Sequence, residues 1–257
     1  MKDPHIKDPT AAIIIIGNEI LSGRTRDANI QFLGTRLCEL GVELSEVRII
    51  PDIEQTIIDT VLELSGKYTH VFTTGGIGPT HDDITSESIG NAFGCTMHFH
   101  PEAMECLKQR YNNELTEGRK KMAWIPEGAD LIKNPVSQAP GFVLNNVFVF
   151  AGVPEIMQAM FDQIVPQIAT GDPIISETIS CPKLPESAIA EGLGKIQHAC
   201  PEVDIGSYPF WNLKGEFGVS VVIKGRDKTY ICKAVDMVLE LVHQLGAVPI
   251  QQPAAAC

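Results

Sequence analysis

The stretch HVFTTGGIGPTHDDIT, residues His70–Thr85, decides the fold, because an apolar run passes directly into a glycine-rich turn. A turn of this kind between a strand and a helix offers backbone N–H groups to an anion. The same turn carries two adjacent carboxylates, Asp82 and Asp83, which repel an anion. A divalent metal ion would reconcile the two features, because it bridges carboxylate and phosphate oxygens.

The carboxylates also have a purely structural interpretation. Asp83 or Thr85 is expected to cap the next helix by accepting a bond from a free N–H group, worth about 1 kcal/mol. Two adjacent acids exceed what one cap needs, so we predict that Asp82 and Asp83 hold a metal ion, with Mg, Mn and Co as the alternatives. The turn matches neither the P-loop nor the GxGxxG pattern, so its order alone does not identify a ligand.

On either side of the turn, β-branched runs alternate with stretches of helical period, which predicts an α/β fold with a mostly parallel sheet. The first three strands are expected at Ala11–Ile16, at residues 42–51 and at Val71–Thr74. Asp52 is placed as the N-cap of the second helix, whose buried face begins with Ile53.

Further along the chain, a helix is expected near Ile84–Phe93 and another begins at Pro101, a residue suited to a first turn. Two apolar runs around Asn145-Asn146 predict a hairpin, because asparagine tolerates positive φ. The stretch PEIMQAMFDQIVPQI returns to a helix.

Acidic side chains follow each of the first three strands: Glu19, Asp52 and the pair Asp82/Asp83. Loops after neighbouring parallel strands share one edge of the sheet, where ligands of such folds bind. We therefore expect these carboxylates to converge. For Asp52 this role stands beside the capping role.

The pattern changes at Thr170–Pro173, which predicts a first domain over residues 1–170 and a second over 171–250. The second has the pattern of a small α+β unit, ferredoxin-like or KH-like. Residues 251–257, QQPAAAC, are expected to form a disordered tail.

The net charge of −12 argues against nucleic acid as a partner, since phosphate backbones are bound by clustered Lys and Arg. The run AAIIIIG is too short to cross a membrane, and the residues before it lack the pattern of a signal peptide. The seven cysteines show no CxxC spacing and are expected to be free thiols in the cytoplasm.

Four segments carry a family resemblance: GNEILSGRTRDAN, TTGGIGPTHDDIT, KKMAWIPEGADLIKNPVSQAPGF and AGVPEIMQAM. They resemble the molybdopterin-binding (MoaB/Mog-like) domain, and most closely its version in CinA-type competence/damage-inducible proteins. ESAIAEGLGKIQHACPEVDIGSYPF is similar to the second domain of those proteins. The resemblance runs from Ala11 to about Leu245.

The resemblance implies a three-layer α/β/α fold that binds a small phosphorylated nucleotide or pterin at the glycine turn and forms a dimer or trimer. It implies catalytic roles for Asp52 and Asp83 and metal-dependent cleavage of the pyrophosphate in ADP-ribose-like substrates. The alternatives are molybdopterin adenylyl transfer in molybdenum cofactor biosynthesis and a non-catalytic binding module. The residues expected to contact the ligand are Gly17, Glu19, Asn29, Thr74, Gly75, Gly76, Gly78, Pro79, Thr80, Thr85, Lys121 and Gly141.

The segment AGVPEIM departs from the CinA-type pattern PGVPxEM. Ala151 replaces a proline, and Ile156 stands in the position of a glutamate, with Glu155 beside it. This departure favours binding without catalysis. The resemblance does not reach the nicotinamide-mononucleotide amidohydrolase domain of longer CinA proteins, so that activity is not expected.

Overall fold

The computed structural model describes residues 8–211 and 215–256 and divides the chain near Gly171 into two compact units. The first unit comprises the described residues up to Leu37 together with Val42–Gly171. The second comprises Cys38–Gly41 and the described residues from Asp172 onward.

A six-stranded sheet in the order β2-β1-β3-β8-β7-β6 forms the centre of the first unit, and a separate pair of short strands, β4 and β5, lies outside it. The strands are β1 (Thr10–Ile16), β2 (Glu43–Ile50), β3 (His70–Thr74), β4 (Met97–Phe99), β5 (Trp124–Pro126), β6 (Asp130–Ile132), β7 (Gly141–Leu144) and β8 (Val147–Phe150). Strands β2, β1, β3 and β8 run parallel, whereas β7 and β6 are antiparallel to their neighbours. The prediction of a mostly parallel sheet is confirmed.

Helices cover both faces of this sheet. They are α1 (Asn18–Leu21), α2 (Asn29–Glu39), α3 (Glu54–Lys67), α4 (Thr85–Ala92), α5 (Pro101–Arg110), α6 (Glu117–Lys121) and α7 (Pro154–Ile164). On one face, side chains of α3 and α4 join Ala12, Ile14 and Ile16 in a common core. Phe161 of α7 contacts the rings of Phe72 and Phe150. Strand β1 is buried along almost its whole length, as expected for a central parallel strand.

Two local predictions are confirmed by backbone geometry. Asn145 has φ of 55° in the turn of the β7–β8 hairpin, and Pro101 is the first residue of α5. The cap predicted for α3 is wrong, because this helix begins at Glu54 with Ile53 as N-cap and without a side-chain cap bond. Ile53 is 54% exposed, so the buried stripe of α3 does not include it.

The second unit is an antiparallel sheet with two helices, in the order β9 (Ile175–Pro182), α8 (Glu186–Ala199), β10 (Asp204–Trp211), β11 (Phe217–Gly225), α9 (Lys228–Gln244) and β12 (Ile250–Ala256). The strand order β10-β11-β9-β12 with these two crossovers is the ferredoxin-like split βαβ arrangement. Buried side chains of both helices pack with those of β9 and β11 in a core of their own.

Two expectations about this part of the chain are wrong. Residues 251–257 are predicted to be disordered, but residues 251–256 belong to β12, which pairs with the edge of β9 from Ile250 onward and so satisfies that strand's free backbone groups. Five described cysteines are free thiols, whereas Cys38 takes part in a disulfide.

Candidate functional site

The loops after four parallel strands meet at one edge of the first sheet. The Gly17 N–H donates to the carbonyl of Ile50 (3.1 Å), and the Gly75 N–H donates to the carbonyl of Phe150 (3.2 Å). These bonds join the end of β1 to β2 and the end of β3 to β8. The segments that carry the sequence-predicted residues therefore share the edge at which ligands of parallel sheets bind.

Asp52 lies in the loop after β2 and accepts a bond through Oδ2 from the Asn18 N–H (2.9 Å). The carboxylate is thereby used at the start of α1 rather than at the start of α3, which explains why the predicted cap is missing. Asp52 thus fixes the chain after β1 against the chain after β2.

Gly75 and Gly76 form a turn that excludes a side chain. Their φ values are +104° and +67°. A Cβ atom on Gly75 would lie 2.1 Å from the carbonyl oxygen of Ile16, and one on Gly76 would lie 2.1 Å from Oγ1 of Thr85. Positive φ and lack of space together require glycine at both positions. The two glycines therefore allow this turn to pack directly against Ile16 and Thr85.

Buried polar atoms without a partner surround this turn. Asn29 is 3% exposed and donates from Nδ2 to the carbonyl of Gly152 (2.9 Å), which leaves its Oδ1 without a partner. The Oγ1 atoms of Thr74 and Thr85 are also buried and unpaired. Burying such an atom unpaired costs about 1–3 kcal/mol. Since Thr74 and Thr85 flank the glycine turn along the chain, a polar ligand there would find partners already in place.

The two acids of the loop converge on one hydroxyl. Oγ1 of Thr80 lies 2.6 Å from Oδ1 of Asp82 and within hydrogen-bond distance of Oδ2 of Asp83, which also accepts from the Thr80 N–H (2.8 Å). The Thr80 hydroxyl, followed by the backbone N–H of Asp82 and the charges of His81 and Lys121, lowers the pKa of Asp82. Both side chains therefore present carboxylate oxygens on the same side of the loop.

The predicted cap of α4 is wrong for the same reason. The N-cap residue is Ile84, with no side-chain cap bond, because Asp83 is used by Thr80 within the loop and Oγ1 of Thr85 has no partner. The first turn of α4 carries no capping side chain, and its first N–H group, that of Thr85, donates to the carbonyl of Gly76 (2.9 Å).

Helix α6 places the ammonium group of Lys121 beside the loop that carries Asp82 and Asp83, which we call the acidic loop. Gly118 packs so closely against Pro79 that a Cβ atom would lie 2.7 Å from the Pro79 carbonyl oxygen. At the end of the helix, Lys121 donates from Nζ to the carbonyl of Thr80 (2.9 Å). An ammonium group keeps further donors for an anion in this geometry.

A cleft of about 210 Å³ lies beside the glycine turn and the acidic loop. Its lining residues are Ile77, Gly78, Asp83, Ser86, Glu87, Lys121 and Trp124. Sequence reasoning missed four of these residues, Ile77, Ser86, Glu87 and Trp124. Ser86 and Glu87 could have been found as first-turn residues of the helix after the turn, whereas Trp124 reaches the cleft only because β5 packs on α4.

Two other predicted residues, Glu19 and Gly141, do not line this cleft. Glu19 lies in α1 with its carboxylate over Gly17, where a Cβ atom would approach it to 2.6 Å. A Cβ atom on Gly141 would lie 2.1 Å from the carbonyl oxygen of Val149, so this glycine is required for packing between β7 and β8. Their contacts with a ligand stay predictions.

Two observations on the described residues concern metal binding and membrane insertion. Within residues 8–211 and 215–256, no cluster of three or more His, Cys, Asp and Glu side chains is arranged to hold a metal ion. Any cation at the acidic loop would therefore take the rest of its ligands from substrate and water, as Mg²⁺ commonly does.

Across the same part of the chain, every helix is too short or too polar to span a membrane.

Comparison with known proteins places these features in a family context. Residues 12–170 match the family described as probable molybdopterin binding domain, and residues 173–251 match the middle domain of FAD synthase. A protein of Aeropyrum pernix is 35% identical over 255 residues, which cover 93% of this chain and 95% of that protein.

Two further relatives carry descriptive names. A competence-damage inducible protein of Clostridium botulinum is 26% identical over 91% of this chain, which spans 58% of that protein's length. The crystal structure of CinA from Thermoplasma acidophilum superposes with a TM-score of 0.60 at 32% identity, covering 62% of this chain and 98% of the CinA chain. The chain is thus similar to CinA in both sequence and fold.

Proposed function

This chain belongs to the probable molybdopterin binding domain family, and we propose that it hydrolyses the pyrophosphate bond of ADP-ribose-like substrates with the help of a divalent metal ion. The phosphates would lie at the glycine turn of the first unit. The acids of the following loop would supply the catalytic groups. This reaction needs charge neutralisation and positioning more than a covalent nucleophile.

The observation that carries the proposal is the set of unpaired buried atoms around a turn that only glycine can form. Oγ1 of Thr74 and Thr85 and Oδ1 of Asn29 lack partners, and Gly75 and Gly76 are partly exposed. Native proteins pair more than nine-tenths of buried polar groups, so a cluster of exceptions at one sheet edge supports a ligand site. The Lys121 ammonium group would face the phosphates.

The acidic loop fits a divalent cation by the chemistry of its donors. Asp82 and Asp83 present carboxylate oxygens toward one hydroxyl, and Mg²⁺ is usually held by one or two carboxylates together with phosphate oxygens and water. Mn²⁺ and Co²⁺ are the alternatives. A cation held there would neutralise charge on the phosphates during cleavage.

The chain's own residues would perform the remaining steps. The glycine turn and Lys121 would hold the phosphates, while Asp52, fixed by the Asn18 N–H, would orient the attacking water. Water adds to one phosphorus, the bridging P–O bond breaks, and the products are AMP and ribose 5-phosphate. Glu19 would support this water from α1, which follows β1.

The test is chromatographic analysis of products after incubation with ADP-ribose and Mg²⁺, Mn²⁺ or Co²⁺. Wild type is expected to release AMP, and Asp83→Asn is expected to slow release by about a hundredfold, since it removes a carboxylate that would hold the metal ion. Asp59→Asn is the matched control, because Asp59 is an exposed residue of α3 that accepts a bond from Nε2 of Gln55 (2.8 Å) and does not line the cleft. Equal rates in the two variants would contradict the role of Asp83.

A second candidate function, binding without catalysis, is favoured by the segment after β8. Ile156 stands where CinA-type proteins are expected to carry glutamate, and Glu155 is exposed in the first turn of α7. Ligand-induced stabilisation of the protein without any product would select this alternative. Molybdopterin adenylyl transfer would be selected instead by co-purification of a pterin with the protein.

A further inference from the structure

Trp124 gives the cleft an aromatic wall. It is the first residue of β5, lines the cleft together with Lys121 and the first turn of α4, and is partly exposed. Its ring contacts that of Phe99, with the centroids 4.6 Å apart and the planes inclined at 57°. The two residues are paired across β4 and β5, so the indole is held in place by its strand neighbour. An indole held in this way offers a flat surface for stacking.

Helix packing explains why this ring reaches the cleft. Gly90 of α4 lies against Met97 and Pro126, where a Cβ atom would meet the Met97 sulfur at 2.5 Å. The absence of a side chain at Gly90 allows the β4–β5 pair to pack directly on α4. The same contact sets Trp124 beside Ser86 and Glu87 in the first turn of that helix.

The polar lining of the cleft can hold a nitrogenous ring beside a phosphate. The carboxylates of Asp83 and Glu87 can accept bonds from ring N–H and exocyclic amino groups, while the Lys121 ammonium group can donate to a phosphate. The cleft is partly open to solvent, so a planar ring can lie against the exposed part of Trp124 without being enclosed. A heterocycle placed there would leave its phosphates at the neighbouring glycine turn.

We propose that Trp124 stacks on the planar heterocycle of the bound nucleotide or pterin and thereby determines specificity for phosphate ligands that carry such a ring. This inference rests on the proposed ligand site but not on catalysis. Trp124 acts in binding and takes no part in bond cleavage.

Fluorescence tests the stacking directly, because the chain has two tryptophans, Trp124 and Trp211. Trp211→Phe removes the one in the second unit and leaves Trp124 as the reporter. With excitation at 295 nm and Mg²⁺ present, AMP is expected to quench this fluorescence saturably. Ribose 5-phosphate, which carries the phosphate without the ring, is expected to leave it unchanged. Equal quenching by both ligands would overturn the proposal, as would no quenching by AMP.

Calorimetry on Trp124→Leu separates stacking from folding. Affinity for AMP is expected to fall roughly tenfold or more, and affinity for ribose 5-phosphate to stay the same, since stacking is lost only where a base is present. Trp124→Phe keeps an aromatic ring and is expected to restore most of the AMP affinity. Parallel losses for both ligands would assign Trp124 a structural role and overturn the proposal.

The failures of the two proposals are distinguishable. AMP quenching without any hydrolysis of ADP-ribose would refute the hydrolase and retain the stacking role. Hydrolysis with an unchanged KM in Trp124→Leu would refute the stacking role and retain the hydrolase.

Discussion

Single residues set the shape of the glycine turn at Gly75 and Gly76. At Gly75 the backbone has a φ that side chains rarely adopt, and the space for a Cβ atom is taken by the carbonyl of Ile16. Thr80 organises the neighbouring loop, since its N–H and hydroxyl together contact Asp82 and Asp83. The arrangement of the carboxylates thus depends on one small polar residue between the glycine turn and α4.

At this scale we predict that Gly75→Ala destabilises the protein more than Gly23→Ala. Gly23 also has positive φ, of 70°, but no atom lies within 4 Å of a Cβ built there, so its substitution adds strain alone. That strain costs about 1–2 kcal/mol. The clash at Gly75 should add about 1–3 kcal/mol. Urea unfolding measures the free energy of unfolding of both variants. Equal losses of free energy would show that Gly75 is not sterically confined.

At the scale of secondary-structure elements, an ion-pair network joins strand β2 to helix α3. Arg48 contacts Glu46 on its own strand and makes a two-pronged contact with Glu63 of α3. The carboxylate of Glu46 also accepts bonds from the Tyr68 hydroxyl and from Lys67. These partners, with Tyr68 first, lower the pKa of Glu46 to about 2. The edge strand of the sheet is thereby fastened to the helix that follows Asp52.

At this scale the network predicts a stability difference that depends on pH. The folded-state pKa of Glu46 lies below its ordinary value of 4.5, so its contribution is complete above that value and is lost as pH falls toward about 2. Glu46→Gln should therefore be less stable than wild type at pH 7, with a difference that shrinks by pH 3. Urea unfolding of wild type and Glu46→Gln between pH 7 and pH 3 measures this difference in the free energy of unfolding.

Glu191→Gln is the matched control for the network. Glu191 is an exposed residue of α8 whose pKa is lowered by the single partner Lys195. Exposed single pairs contribute little, so this variant should lose less stability at pH 7. A constant difference for Glu46→Gln at all pH values would contradict the predicted linkage.

At the scale of the whole molecule, each described unit has core side chains of its own. One core lies on the parallel sheet of the first unit, and another lies between the antiparallel sheet and helices α8 and α9. Units with separate cores are able to unfold separately. The glycine turn, the acidic loop and the cleft all belong to the first unit.

We predict that a destabilising substitution in one core lowers hydrogen-exchange protection only in the unit that contains that core. Ile179→Ala should remove about 2–5 kcal/mol from the second unit, because Ile179 is completely buried in that core. Hydrogen exchange followed by mass spectrometry should show lost protection in peptides from residues 172–250 only. Ile57→Ala in the first core is the reciprocal control. Protection lost equally from both units would mean that they unfold together.

The sequence by itself determined the features that depend on neighbouring residues. Alternating and continuous apolar runs predicted the strands, Asn145 predicted the hairpin turn, and the glycines after β3 predicted the open turn. Each of these follows from backbone conformation and side-chain period within a few residues, so local order is sufficient.

Only the tertiary structure decided which distant groups meet. Asp52 bonds the Asn18 N–H, 34 residues earlier, instead of capping its own helix. Lys121 reaches the Thr80 carbonyl, 41 residues earlier, and Trp124 enters the cleft because β5 packs on α4. A polar side chain takes the partner that packing brings within hydrogen-bond distance, and that distance depends on the whole fold rather than on spacing along the chain.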